Sequence, residues 1–293
     1  MFNAKLKQIT HSYMQNLKLK QSAFEFGKNM KQDLLYGHKN SILGFNTPFQ
    51  SALLSYSNPS LNRGVSISKS QLKAYYTFEE ASGNLLNKAS AVGSVDSFAS
   101  EDMVNTGVAY QQTGKISFGY VYDGVNDKSV GNSVSNWKLL SNANDFSFSI
   151  WIKYTGSWAN DNVWMASCNS SANQGMIFDA RDTGDVRFVS QRGGVSDFND
   201  SWNTNLSDAN WHHYVIRYDN TAHEIELWLD GVNQGTKACT LVGTGNPDVV
   251  LQLMDTDYGG AADGTVDEFA VFARKITNAE IAAFYNGGNG VSL

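Results

Sequence analysis

Four groups of residues in this chain have the types and spacing for chemistry. Glu224 and Glu226 stand two apart in an alternating run, so a strand puts both carboxylates on one face. A carboxylate pair flanking a scissile bond is what acid–base hydrolysis of a glycoside needs. His212 and His213 suggest a metal, but neighbours on a strand point to opposite faces and cannot share one ion. Residues 255–268 (DTDYGGAADGTVDE) are acidic and glycine-rich. That composition suits a hard cation such as Ca2+, which takes several oxygens from carboxylates and loop carbonyls. Finally, Trp158, Asn160, Trp164, Phe198, Trp202 and Tyr258 lie in stretches rich in Asn, Asp and Gly, with Asp161, Asn199 and Asn203 beside them. Aromatic platforms with amide and carboxylate partners are the makings of a sugar site. Each group also has a plainer reading. The glutamates suit an ordinary exposed strand face, the histidines a structural role, and the acids surface turns. The aromatics suit caps on the ends of a sandwich or a protein–protein interface.

The elements that must position these residues are strands. Phe146, Phe148, Ile150 and Ile152 alternate with Ser147, Ser149, Trp151 and Lys153, and Ile225, Leu227 and Leu229 with Glu224, Glu226 and Trp228. Each such strand has one face for a core and one for solvent or a partner. Turn signals recur every eight to fifteen residues, among them Asp123-Gly124, Asp219-Asn220 and Asp230-Gly231. This spacing predicts an all-β, two-sheet antiparallel sandwich of the jelly-roll kind over 71–293. Near the end, Thr277 and Glu280 stand in capping-box spacing before Ile281 and Phe284, and Gly287 and Gly288 follow, so a short helix is expected there.

Five segments, in order, resemble the laminin-G-like, concanavalin A-like jelly-roll family: 72–84 (LKAYYTFEEASGN), 119–127 (GYVYDGVND), 145–153 (DFSFSIWIK), 211–219 with 227–232 (WHHYVIRYD and LWLDGV), and 264–286 (GTVDEFAVFARKITNAEIAAFYN). The resemblance covers about 72–286 and leaves 1–70 unmatched. It implies a structural calcium where the closing-strand Asp meets the opening turn, here Asp267 with Glu79 or Glu80 and carbonyls near 84–87. Many relatives carry an Asp at the end of that turn, where this chain has Asn87 followed by Lys88. Glycosidases of the same fold carry a Glu-x-Asp-x-x-Glu pattern that this chain lacks, so a non-catalytic domain is expected. The paired histidines match a structural feature of the family.

Composition sets the remaining expectations. Charged residues are 17% of the 293, aromatics 12%, and the net charge is −6. Residues 1–39 hold seven lysines against Glu25 and Asp33, a net of +5, which leaves −11 for the rest. This asymmetry suggests two regions with different partners. Residues 1–36 read as a basic amphipathic helical arm, with Phe2, Leu6, Ile9, Tyr13 and Leu17 on one face. Residues 37–70 read as an extended linker. Such a helix needs a surface to pack on, which makes residues 1–70 the expected contact to a homo-oligomer or to other proteins of an assembly. No phosphate-cradling loop, nucleophile elbow or zinc spacing occurs, and the acidic domain argues against nucleic acid. No apolar run reaches membrane-spanning length, so no membrane insertion is expected. The N-terminus lacks a continuous apolar stretch, so no secretory signal is expected. Cys168 and Cys239 read as buried free thiols, with one disulfide as the alternative. Two functional expectations follow. One is a phage virion protein made in the host cytoplasm, anchored by its arm and displaying the jelly roll. The other is a calcium-supported carbohydrate-binding module, able to meet a surface glycan, on a surface protein or one secreted by a non-classical route.

Overall fold

The computed structural model describes residues 66–293, apart from 157–161, 172, 182–183, 205, 207, 244, 255 and 260. The chain divides into two compact units, Met1–Gly64 and Val65–Leu293. The arm residues Phe2, Leu6, Ile9, Tyr13 and Leu17 lie outside the described residues.

The described unit is built on fifteen strands in two antiparallel sheets. In chain order they are β1 (Leu72–Tyr76), β2 (Val104–Thr106), β3 (Ala109–Thr113), β4 (Phe118–Asp123), β5 (Lys128–Val130), β6 (Phe146–Tyr154), β7 (Asn162–Ala166) and β8 (Gly175–Ala180). There follow β9 (Val186–Arg192), β10 (Val195–Trp202), β11 (Trp211–Asp219), β12 (Glu224–Leu229), β13 (Val232–Ala238), β14 (Gln252–Leu253) and β15 (Asp263–Phe272). An eight-stranded sheet runs β13-β12-β11-β6-β15-β4-β3, with β1 also on β15, and a seven-stranded sheet runs β10-β9-β8-β7-β14-β5-β2. Two α-helices complete it, α1 (Val134–Trp137) and α2 (Asn278–Tyr285), each followed by a short 3-10 turn.

The alternation read from the sequence sets the interior. Phe146, Phe148, Ile150 and Ile152 from β6 join Ile225, Leu227 and Leu229 from β12, and meet Met176, Phe178, Val186 and Phe188 from the facing sheet. Ring pairs lock the layers, with Phe148–Phe178 centroids 5.1 Å apart and Trp164–Tyr214 at 5.0 Å. Each such ring fully buried contributes roughly 1.5–3 kcal/mol.

The second face of β6 is not open to solvent. Ser147, Ser149 and Trp151 are buried, because α2 and the chain after it cover that side. Trp151 stacks on Tyr285 of α2, and Ser149 Oγ lies 2.8 Å from His213 Nε2. Thr277 and Glu280 form the expected capping box, and α2 ends where Asn286 takes the left-handed conformation (φ 49°). Glu280 also accepts from Ser68 N at 3.0 Å, while Arg274 donates to the Ser68 and Ser70 carbonyls. Residues 66–70, assigned to the linker from sequence, are therefore fastened to the domain, with Ile67 buried beside Leu72. Both cysteines are buried and free, and burial pushes each thiol up to about 12.

Candidate functional site

Antiparallel pairing hangs seven connections from one end of the sandwich. They join β2–β3, β4–β5, β6–β7, β8–β9, β10–β11, β12–β13 and β14–β15. Hydrogen bonds tie them to each other. Thr155 N and Oγ1 donate to the Asp263 carbonyl (3.0 Å) and carboxylate (2.7 Å). Thr204 Oγ1 donates to the Gly184 carbonyl at 2.6 Å. This rim carries Asp123, Asp127, Asp208, Asp230, Asp257 and Asp263, so its field is negative.

The rim adjoins the outer face of the seven-stranded sheet. Val163, Ala166, Cys168, Ile177 and Val189 form a small apolar cluster there, and Tyr258 from the β14–β15 connection packs on it, half-buried. Gln252 holds that connection, exchanging bonds with Asp257 N (2.7 Å) and Asp257 Oδ2 (2.9 Å). Beside the cluster, Arg187 grips Asp179 with two nitrogens, Nε lying 3.0 Å from Oδ1. The register places Asn199 opposite Val189 and Ser201 opposite Arg187, on the same face of the sheet as the cluster. Asn199 is exposed and Ser201 half-exposed. The cluster and Asp179 are buried, so the accessible groups of this face are the half-buried Tyr258, the exposed Asn199 and the half-exposed Ser201: an aromatic ring that can stack a flat apolar face, and an amide and a hydroxyl that can hydrogen-bond hydroxyls.

The residues singled out from sequence fall in different places. Trp158 and Asn160 lie outside the described residues. Trp164 is buried against Tyr154, Phe178 and Tyr214, so its ring offers no face to a ligand. Phe198 and Trp202 pack inward at the β10 edge, where Trp202 Nε1 donates to the Gly235 carbonyl at 2.9 Å. Only Tyr258 of the described aromatics stands on the outer face. Asp179 and Arg187 were missed. The signal for them was present in the alternation of Ile177 with Asp179 and Arg187 with Val189, two outward-facing pairs in register.

Glu226 is an ion-pair hub. Its Oε2 accepts from Arg217 Nε and Nη2, Trp228 Nε1 and Asn233 Nδ2, and its Oε1 lies 3.0 Å from Lys275 Nζ. Burial opposes the charge, but these donors outweigh it and hold the carboxyl below its ordinary value. It has neither an open face nor the raised affinity for a proton that a general acid needs. Glu224, its partner in the i, i+2 pair, is exposed.

The residues expected to hold calcium are each engaged by partners within the protein. Glu79 accepts from Ser117 Oγ and Phe118 N, each at 3.1 Å. Glu80 accepts from Tyr120 Oη and pairs with Lys88 at 3.1 Å. Asn87 Oδ1 accepts from Tyr75 N and Ala89 N, while its amide nitrogen donates to the Lys73 and Phe98 carbonyls. Asp267 is fully buried; Oδ2 accepts from Ile116 N and Oδ1 has no hydrogen bond. Burial pushes its carboxyl up to about 8, and burial likewise moves Glu268 up to about 7. Among the described residues no group of three or more His, Cys, Asp or Glu side chains is arranged to hold a metal. The adjacent histidines point apart, His212 to two aspartates and His213 under α2.

Two antiparallel sheets wrapped in this order define a jelly-roll sandwich with a loop-bearing rim. The model of the Concanavalin A-like lectin/glucanases superfamily matches residues 126–282, more than half of the chain, and the chain belongs to that family. Among solved structures, the chain is similar to the botulinum neurotoxin serotype D binding domain, at 15% identity and TM-score 0.56, covering 77% of this chain and 52% of that one. It is also similar to the receptor-binding domain of a botulinum neurotoxin C/D mosaic (15%, 0.56, covering 76% and 52%) and to Trypanosoma rangeli sialidase (10%, 0.55, covering 76% and 34%). It spans about half the length of the toxin chains and about a third of the sialidase. These likenesses establish the fold alone. No curated protein matches the sequence.

Proposed function

We propose that residues 66–293 form a non-catalytic binding module that takes a carbohydrate on the outer face of the seven-stranded sheet, beside the rim. The observation that carries this reading is the presence on one sheet face of Tyr258, packed on the apolar cluster, and of Asn199 and Ser201, in register with that cluster's Val189 and with the anchored Arg187. An aromatic face with flanking amide and hydroxyl groups suits a sugar ring, whose C–H side stacks and whose hydroxyls need partners. The neighbouring toxin chains, named as receptor-binding domains, and the lectin name of the family point the same way. The commitment of Glu226 to its ion pairs supports a module without hydrolytic chemistry.

A glycan array, followed by saturation-transfer NMR on any hit, tests the reading. Tyr258→Ala and Asn199→Ala are each expected to weaken binding at least about tenfold, roughly 1.4 kcal/mol, with the fold intact. Absence of binding to every glycan, or equal binding by both variants, overturns it.

A second reading has a separate observation behind it. Met1–Gly64 forms its own unit, and its lysines oppose the acidic remainder. On this reading that unit anchors the module in an assembly, such as a phage-like particle. Light scattering of the full chain and of residues 66–293 tests it. Oligomers of the full chain alone support anchoring, and monomers of both with no particle association refute it.

A further inference from the structure

His212 lies at the start of β11, on the rim. Its Nδ1 is 2.7 Å from Asp230 Oδ2 in the β12–β13 turn, and its Nε2 is 2.9 Å from Asp208 Oδ1 in the β10–β11 connection. A carboxylate only accepts, so both ring nitrogens must donate for both bonds to exist. That requires the imidazolium. We infer that His212 is a proton-operated latch: with its second proton it ties Asp208 of the β10–β11 connection to Asp230 of the β12–β13 turn, and without it Asp208 is released.

The geometry says which bond yields. Asp230 is held a second time, accepting from His213 N at 2.9 Å, and its side chain is 30% exposed. Asp208 is 47% exposed and, among the described residues, its other hydrogen bonds come from Asn210, two residues on, through that residue's N (3.2 Å) and Nδ2 (2.8 Å). When the ring loses a proton, one nitrogen becomes an acceptor facing a carboxylate oxygen. Nδ1–H stays with Asp230, and Nε2 repels Asp208 toward water. The connection then keeps its far anchors, Thr204 Oγ1 and Leu206 N on the Gly184 carbonyl, but loses its near one. The titratable groups facing His212 are Asp208, Asp230 and, from its own strand, Tyr214, with ring centroids 6.3 Å apart. The β6 residue opposite it is the uncharged Ile152, and Lys153 lies opposite Trp211.

The direction of titration agrees. Burial pulls the imidazole pKa down, but the hydrogen bonds and charges of Asp230 and Asp208 outweigh it, and the net shift is upward. A group whose folded pKa is raised contributes fully below its unfolded value near 6.5, and the contribution is lost as pH rises through the folded pKa. The latch is therefore closed in mild acid and opens toward alkaline pH. As a regulator of ligand access it rests on the reading that the rim and its adjoining face bind a ligand; as a property of the free protein it does not.

The test uses the free full-length chain. Long-range 1H–15N NMR follows the His212 ring nitrogens from pH 5 to 9.5, and hydrogen exchange follows amides 204–210 over the same range. His212 is expected to titrate above 6.5, with exchange in 204–210, corrected for intrinsic rates, rising at least about tenfold through that transition. Asp208→Asn removes one charge at an exposed position and leaves the core alone. It is expected to lower the His212 pKa by about one unit or more and to move the exchange transition with it. An imidazole titrating at or below 6.5, or a 204–210 profile flat with pH, overturns the latch. A failure to bind glycan leaves these readouts unchanged and removes only the site reading.

Discussion

Trp202 of β10 donates through Nε1 to the carbonyl of Gly235 on β13, joining the outermost strand of one sheet to the outermost strand of the other at 2.9 Å. Lys237 reinforces the seam, its Nζ 5.6 Å from the indole centroid and 2.8 Å from Asp200. The indole is buried at 3% exposure, so it acts as a stitch between layers. Trp202→Phe is expected to lose one hydrogen bond, about 1 kcal/mol. Trp202→Ala adds a cavity, for a total of about 3–5 kcal/mol. Denaturant unfolding of both variants checks this order. A Trp202→Ala protein of unchanged stability would mean that the edges hold without the stitch.

Glu226 should behave as a structural ion. Removing it by Glu226→Ala leaves Arg217 and Lys275 without their shared carboxylate and is expected to cost about 3 kcal/mol. Arg217 also sits 4.9 Å over the Trp228 ring and donates to the Ile276 carbonyl, so the loss spreads to the start of α2. Urea unfolding measures the cost, and a glycoside-hydrolysis assay on both proteins provides the control. Measurable hydrolysis that the substitution abolishes would contradict the assignment.

The acid limb of stability should depend on Glu280. Burial works against its charge, yet Arg274, Thr277 N and Ser68 N bring its carboxyl down to about 2. A depressed carboxylate contributes stability above its unfolded value of 4.5, and that contribution is lost as pH falls toward 2. Glu280→Gln is expected to flatten the melting temperature between about pH 4.5 and 2 while lowering it at pH 7. An unchanged acid slope in the variant would remove Glu280 as its cause.

Asp267 predicts the opposite trend. Burial raises its folded pKa from 3.8 to about 8, so the native state holds a proton that the unfolded chain has released across that interval. Stability therefore falls as pH rises from about 4 to about 8 and is flat beyond. Asp267→Asn is expected to reduce that fall, with the largest gain over the parent at pH 9. Thermal melts at pH 5, 7 and 9 decide it. A rise in melting temperature on adding calcium that Asp267→Asn abolishes would show that the carboxylate serves a cation instead.

The fold was legible because strands with an alternating pattern declare which face they bury. The sequence of β6 marked Phe146, Phe148, Ile150 and Ile152 as interior, and all four are. It did not show that Ser147, Ser149 and Trp151 are buried too, because their cover is α2, more than a hundred residues later. The Thr277–Glu280 box was legible since its partners are three apart. The grip of Glu280 on Ser68 spans 212 residues and leaves no local trace. The aromatic loop set was harder still. Trp164 looks like a loop aromatic from its polar neighbours, but β7 begins at Asn162 and turns it inward. The Asp179–Arg187 pair required knowing that β8 and β9 align those two positions.

The placement of seven connections on one rim has an evolutionary consequence. The framework strands bury side chains between the sheets, while the connections, most of them crossing from one sheet to the other, lie at the end of the sandwich, where hydrogen bonds join some of them to one another. A turn can lengthen or change composition at little thermodynamic cost, because loop closure grows only slowly with length. Such a molecule can drift through recognition space one connection at a time without renegotiating its interior. Relatives that share its scaffold need share no target, and the rim is the place to look for their divergence.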